Sequence, residues 1–229
     1  MSEWWTYTYR MTSFVLFSPR TYLRLCEQYN EAVWPLQIVT LTAGVALVLV
    51  ARRTGSSTAR TIPLTIAALW LFVAYAFHLR RYAAINWAAD YFAIAFIAQA
   101  LLLAWSGVTG ALRFGINTSW RQGAALAIVA FALVGVPLLE RQSGRNWREL
   151  EAFGTSPDPT ALGTLGILLV ARDPPWMLLA IPLAWCVING AFQWTVGFKD
   201  AIALPLIALM ALSLRSASAL RRALRRSVR

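Results

Sequence analysis

The chain of 229 residues is poor in the residue types that build common metal, redox and nucleotide sites. It has one histidine, His78, and two isolated cysteines, Cys26 and Cys186. One histidine cannot supply a three-histidine zinc site or paired haem ligands, and the cysteines lack metal or redox spacing. There is no glycine-rich phosphate loop and no GxSxG motif. We therefore expect no metal and no cofactor, although an acid/base enzyme that uses Glu31 and His78 stays open.

Charged residues are also scarce, and this scarcity determines the fold class. Only 14% of the residues are charged, 59% are hydrophobic, and the mean hydropathy is +0.56. The apolar residues form long runs, as in integral membrane proteins. We predict an all-α, polytopic bundle at 33–214, after an interfacial aromatic and amphipathic segment at 1–32 and before a basic tail at 215–229. The predicted spans are 33–51, 62–79, 88–107, 123–139, 159–171, 176–196 and 200–214.

The fifth apolar stretch determines whether the chain has six or seven spans. A bilayer core about 30 Å thick requires about 20 helical residues, and this stretch is shorter. Counting lysines and arginines favours six spans, because 15 cations then lie inside and 6 outside, whereas seven spans give 12 and 9. A hairpin that turns back would bury Arg172 and Asp173 at high cost. We favour seven spans, with the short helix packed among neighbours through Gly163 and Gly166.

Seven spans place the N-terminus outside and the C-terminus in the cytoplasm of a bacterial inner membrane. Nine of the ten acidic residues then lie on the outer side, and only Asp173 lies inside. The basic tail aligns Leu220, Leu224 and Val228 on one helical face, which is typical of a helix lying on anionic lipid. We expect it to bind the bilayer rather than nucleic acid. The predicted lipid-binding residues are Arg221, Arg222, Arg225 and Arg226.

The predicted outer face carries most of the polar chemistry. Asn30 and Glu31 precede the first span, where a carboxylate could bind a cation or accept a proton, or could be an ordinary solvated residue. The stretch HLRRYAAINWAADYF contains His78, Arg81 and Asp90. Its arginines could orient an anionic ligand, although we favour membrane anchoring. For His78 we favour a hydrogen-bonded residue at a helix end over a ligand.

Two further candidates for the polar site come from later segments. In FGTSPDPT, Asp158 followed by proline predicts a helix start, so we expect its carboxylate to cap free backbone N–H groups first and to serve a site second. Asn189 and Gln193 are four residues apart and share one helical face. Such a face must meet protein or water, so it could line a pocket or only join helices.

Six segments resemble an uncharacterised bacterial family of multi-pass inner-membrane proteins. They are MSEWWTY, LFSPRTY, YNEAVWP, HLRRYAAINWAADYF, FGTSPDPT and PLAWC. The resemblance covers nearly the whole chain, and some members of this family are labelled permeases of the major facilitator type. It implies a domain of unknown function, so it assigns no catalytic residue.

Two classes of function remain after these exclusions. The first is a small carrier or solute-binding, permease-like protein whose polar site lies on the outer face. The second is an accessory or assembly subunit that holds a membrane protein partner. No internal repeat of the kind that many carriers contain is visible, which weakens the first class.

Overall fold

The computed structural model describes residues 17–115 and 119–227, with side chains as far as residue 217. The aromatic residues of segment 1–16 and the side chains of the predicted lipid-binding residues Arg221, Arg222, Arg225 and Arg226 therefore lie outside the described residues. The described chain is helical and forms no β-strand, which confirms the all-α prediction. The α-helices are α1 Pro19–Val33, α2 Leu36–Ala51, α3 Ser56–Phe72, α4 Ala89–Thr109, α5 Trp120–Ala130, α6 Val136–Gln142, α7 Pro157–Val170, α8 Trp176–Val196 and α9 Ala203–Ser227.

Four helical stretches are long and apolar enough to cross a membrane. They are Ser56–Ala84, Ala89–Thr109, Trp120–Gln142 and Trp176–Val196, and two of them run through a π-helical segment. Helices α1 and α2 make a fifth if the pair, bent by 84°, counts as one span. Helix α7 and the described apolar part of α9, Ala203–Ala217, are shorter. The number of seven spans therefore stays a prediction.

Helix α1 is amphipathic, and its apolar stripe packs against protein. Ser18 accepts a hydrogen bond from the Thr21 N–H and caps the helix, as the Ser-Pro pair predicts. Four stripe residues are buried in the core: Tyr22, Leu25, Cys26 and Tyr29. The Tyr29 hydroxyl also donates to the Thr155 carbonyl at 2.7 Å. This contact fixes α1 against the segment that leads into α7.

Helix α7 lies at the centre of the bundle, in contact with α2, α3, α5, α8 and α9. Every residue from 151 to 168 is buried. At about 1.5 Å per residue the helix is only about 21 Å long, so protein rather than lipid must cover its ends. The buried hydroxyls of Thr160 and Thr164 on this helix have hydrogen-bond partners. Trp70 Nε1 donates to Thr164 Oγ1 at 2.8 Å, and the Gly154 N–H donates to Thr160 Oγ1 at 2.8 Å.

The loops collect at two ends of the bundle. At one end lie the turn 80–88, the loop 143–156 and the turn 197–202, which we call the site end. At the opposite end lie the turn 52–55 and segments 110–115 and 171–175, where the Arg172 N–H donates to the Arg113 carbonyl at 2.7 Å. Arg215, assigned by sequence to the tail, is buried there and donates from Nε to the Pro174 carbonyl at 3.0 Å.

Because α7 lies close to α5, we predict that alanine substitutions at two glycines differ sharply in their cost in stability. A Cβ at Gly166 would lie 2.6 Å from Val129 Cγ2 and 2.9 Å from the Ala125 carbonyl oxygen, whereas one at Gly123 would meet no atom within 4 Å. We expect Gly166→Ala to cost about 1–3 kcal/mol of stability, because backbone cannot move aside easily. Gly123→Ala should be neutral or slightly stabilising. Thermal unfolding in detergent checks this, and equal midpoints for the two variants would contradict it.

Candidate functional site

Arg145 lies at the centre of a buried group of carboxylates at the site end. Its Nη1 is 2.6 Å from Glu140 Oε1 and 3.8 Å from Glu151 Oε1, and its Nη2 is 3.3 Å from Asp200 Oδ2. The guanidinium also lies over the ring of Phe198, 4.6 Å from the centroid. Arg145 is only 2% exposed. One cation therefore serves three carboxylates away from water.

Asp158 adds a fourth buried carboxylate, held by one face of α8. It accepts hydrogen bonds from Trp185 Nε1 at 2.8 Å, from Asn189 Nδ2 at 2.7 Å and from Gln193 Nε2 at 2.5 Å. These donors are spaced four residues apart, so one helical face supplies all three. Gln193 also accepts from Arg145 Nη2 at 3.3 Å and so links Asp158 to the rest. We call these five charged residues the carboxylate cluster: Glu140, Arg145, Glu151, Asp158 and Asp200.

Local chain geometry brings the cluster together from five segments. Glu140 lies near the end of α6, Arg145 follows a turn through Gly144 at φ +101°, and Asp200 follows α8. The Glu151 backbone N–H donates to Glu140 Oε2 at 2.7 Å. From α1, the Tyr22 hydroxyl donates to Glu151 Oε1 at 2.9 Å. The cluster therefore joins the ends of several helices.

The cluster contains more carboxylates than its single guanidinium can neutralise. Burial alone would lower the pKa of Arg145, but Glu140, Glu151 and Asp200 raise it, so Arg145 stays charged. Burial raises the pKa of Glu151, while Arg145 and the Tyr22 hydroxyl act in the opposite direction. Glu151 Oε2 has no hydrogen-bond partner among the described residues. Since uncompensated charge is costly to bury, we expect the carboxylates of the cluster to hold a proton among them, with Glu151 as one of the groups that share it.

An open cleft of about 570 Å³ lies over the cluster at Glu151. Its lining residues are Asn30, Glu31, Trp34, Gln37, Leu41, Pro137, Trp147, Arg148, Leu150, Glu151 and Ala152. Three of these residues have a side-chain oxygen that is buried and has no hydrogen-bond partner in the described structure: Asn30 Oδ1, Gln37 Oε1 and Glu151 Oε2. The wall of the cleft therefore contains three unpaired acceptors that lie beneath its surface.

The orientation of both amides in the cleft is set by the carbonyl groups around them. Asn30 Nδ2 donates to the carbonyls of Arg148 and Leu150, each at 2.8 Å. Gln37 Nε2 donates to the Asn30 carbonyl at 2.9 Å. Because a carbonyl only accepts, each NH2 group must face its carbonyl, and each amide oxygen is left unpaired and buried beside the cleft. A ligand group that reaches these oxygens can pair with them only by donating.

The described residues offer no grouping of three or more histidine, cysteine, aspartate and glutamate side chains arranged to hold a metal ion. In the carboxylate cluster, the position between the carboxylates is filled by the Arg145 guanidinium. The site is therefore suited to hydrogen bonds and proton transfer among its own groups.

Comparison with known proteins places the chain in a family. Residues 20–226 match a family of unknown function, DUF6064. The chain belongs to this family. No curated protein and no solved structure matches it. The match confirms the sequence-based resemblance to an uncharacterised family and leaves the chemistry to be argued from the site itself.

The structure brings together some of the sequence-predicted site residues of this DUF6064 protein and separates others. Asn189 and Gln193 donate to Asp158 of the carboxylate cluster, so these three predicted residues meet. Glu31 lines the cleft and pairs with Arg148 at 2.9 Å, with both side chains more than half exposed. Asn30 also lines the cleft, whereas the other three predicted residues, His78, Arg81 and Asp90, do not.

The prediction of a hydrogen-bonded His78 is wrong. The side chain is fully buried, and neither ring nitrogen has a hydrogen-bond partner in the described part of the chain. Aromatic rings surround it instead, with centroids 4.6 Å away for Phe96, 5.2 Å for Trp185 and 5.4 Å for Phe77. His78 lies in the last turn of the π-helical segment Val73–Leu79, where its side chain is buried in the core.

The expectation that Asp158 caps its own helix is also wrong. Helix α7 does begin where the proline signal predicts, at Pro157 after the N-cap Ser156. The described hydrogen bonds of the Asp158 carboxylate, however, come from side chains of α8. Donors from Trp185 and two amides outcompete the backbone because α8 lies directly beside the start of α7.

Sequence reasoning missed Glu140, Arg145, Glu151 and Asp200 as site residues. A signal was present, because the segment RQSGRNWREL and the residues after it concentrate charge between two apolar stretches. Charges in such a segment are usually solvated. The pattern contains nothing that distinguishes buried Arg145 from exposed Arg148, three residues further along the chain.

Those two arginines provide a matched test of the cluster. Arg145→Gln removes the only cation from among buried carboxylates, so we expect a loss of roughly 3–5 kcal/mol. Arg148→Gln breaks an exposed pair and should cost about 0–1 kcal/mol. Unfolding of the two variants in the same detergent measures the difference. Similar losses would show that Arg145 is not a central contact.

The raised pKa of Glu151 leads us to predict that the free energy of unfolding depends on pH. The folded protein holds this proton more tightly than the unfolded chain, where the ordinary pKa is 4.5. The free energy of unfolding should therefore fall as pH rises from that value through the raised folded-state pKa. Glu151→Gln should flatten this fall, whereas Asp90→Asn, at an exposed position, should preserve it. Equal slopes in both variants would contradict the assignment.

Proposed function

We propose that this protein is a small carrier that binds an organic amine in the cleft over the carboxylate cluster. The observation that carries the proposal is that Asn30, Gln37 and Glu151 all line one cleft and each has a buried acceptor oxygen without a donor in the described structure. A protonated amine supplies several N–H donors from a single small group. Hydrogen bonds from a charged donor are the stronger kind, which favours an ammonium over a neutral alcohol.

The walls of the cleft suit a cation as well. Trp34 and Trp147 both line it, with side chains 65% and 66% exposed. The face of an indole attracts a cation by about 0.5–2 kcal/mol, depending on its access to water. Arg141 already lies over the Trp147 ring, 5.5 Å from the centroid. The Glu31 carboxylate adds negative charge at the rim, although Arg148 neutralises part of it.

Glu151 connects binding to proton release. It belongs both to the cleft lining and to the carboxylate cluster. When an ammonium enters beside it, the proton on Glu151 becomes dispensable, because the new cation compensates the carboxylate in its place. One cation then replaces another, and the buried charge is unchanged. This exchange is the chemistry of an amine and proton antiporter.

Calorimetry on the purified protein in detergent tests the exchange. Putrescine and ethanolamine serve as probes, with glycerol and lactate as uncharged and anionic controls. The heat of binding, measured in two buffers of different ionisation enthalpy, gives the number of protons released, and we expect about one per amine. Glu151→Gln should abolish this release. Glu27→Gln, a half-buried acid on α1 outside the cleft lining, should leave it unchanged.

Two results would overturn the proposal. The first is that no amine binds, and the second is that the number of released protons is the same in Glu151→Gln. Uptake of labelled amine into sealed vesicles then separates carriers from proteins that only bind. Failure to bind any amine, together with a stoichiometric partner that co-purifies from native membranes, would favour the accessory-subunit alternative.

A further inference from the structure

We infer that a second pocket, lined by four arginines, binds the phosphate group of an anionic ligand. This arginine pocket has a volume of about 400 Å³ and lies between α1 and the turn after the π-helical segment. Its arginines are Arg20, Arg24, Arg80 and Arg81. The pocket does not share a lining residue with the cleft.

The arginines come from two elements that the core holds at a fixed distance. Arg20 and Arg24 are four residues apart, so they lie on one face of α1. Tyr22 lies between Arg20 and Arg24 in the chain, and its ring packs edge-on against Tyr82, with 6.1 Å between the centroids. Tyr82 follows Arg80 and Arg81 directly in the chain. The aromatic contact therefore positions both arginine pairs before any ligand binds, which reduces the entropic cost of binding.

Nothing in the described structure neutralises this pocket. None of its four arginines forms an ion pair with any residue of the described ranges. The nearest acid along α1 is Glu27, which is half-buried and does not line the pocket. Four acids of this end are buried in the carboxylate cluster and so do not balance the pocket: Glu140, Glu151, Asp158 and Asp200. Four arginines thus line one cavity without a carboxylate in its wall, and the Arg80 guanidinium also lies over the Tyr75 ring, 5.8 Å from the centroid.

The chemistry of guanidinium identifies the missing partner as a phosphate. Its planar donors bind two oxygens of a phosphate at once, in contrast to the point charge of lysine. Thr21 and Gln28 add hydrogen-bonding groups to the wall, while Leu25 and Ile85 make part of it apolar. This mixture suits a phosphate attached to an apolar group, as in a phospholipid.

The surroundings point to the membrane surface. Exposed rings lie near the same turn on Tyr75, Trp87 and Tyr91, with 58%, 66% and 66% of their surface accessible. Such aromatic residues collect at the headgroup layer of a bilayer. The phosphate could come from an anionic lipid or from a soluble compound, and both would use the same guanidinium contacts.

Native mass spectrometry and thermophoresis on the detergent-solubilised full chain test this inference. The probes are short-chain phosphatidylglycerol, short-chain phosphatidylcholine and inorganic phosphate. We expect phosphatidylglycerol to bind at least tenfold more tightly than phosphatidylcholine. Phosphatidylglycerol binding without competition by millimolar phosphate identifies a lipid site, whereas effective competition identifies a site for soluble phosphates.

A matched pair of double variants locates the site. Arg24→Gln with Arg81→Gln should weaken phosphatidylglycerol binding at least tenfold. Arg52→Gln with Arg53→Gln, which removes two exposed arginines at the opposite end of the bundle, should leave it within twofold. Equal binding of the two lipids by the unmodified protein, or equal losses in the two double variants, would overturn the inference. The lipid comparison needs no substitution, so it stands even if a variant fails to fold.

Discussion

The ion pairs between Arg145 and its buried carboxylates are the constraint on which the site end depends. They join the end of α6, the segment before α7 and the turn after α8, and Gln193 extends the contact to Asp158 on the central helix. A buried charge must be compensated by a partner of opposite charge. These segments therefore cannot separate without exposing a carboxylate to water or leaving it buried without its cation. The short helix α7 is consequently enclosed at one end by the cluster and along its length by neighbouring helices.

Because of these ion pairs, negative and positive charges occupy different parts of the site end. Carboxylates turn inward around one guanidinium, and most arginines of the same face remain at the surface. A face that the sequence predicts to be neutral overall is therefore acidic inside and basic outside. The acidic interior opens on a cleft that offers acceptors to a cation. The basic exterior forms a pocket that lacks an anion. The proposed amine site and the proposed phosphate site therefore both depend on the burial of the cluster carboxylates.

The sequence predicted those features that depend on local pattern. Long apolar runs predicted the helices, the Ser18 and Pro19 pair predicted the start of α1, and the glycines of α7 predicted close packing. The four-residue spacing of Asn189 and Gln193 correctly predicted a shared polar face. It could not reveal that Asp158 lies opposite that face, because their meeting depends on how α7 and α8 pack. Likewise, local pattern treats Arg145 and Arg148 alike, and only tertiary packing buries the first.

The central claim is that the buried cluster holds a proton among its carboxylates and that Glu151 is one of the groups that share it. Infrared spectroscopy of the reconstituted protein measures this directly, through the carbonyl stretch of a protonated carboxylic acid and its shift in heavy water. The account predicts such a band in the unmodified protein at neutral pH and a weaker band in Glu151→Gln. A spectrum without the band, or a band of undiminished strength in Glu151→Gln, would contradict the account.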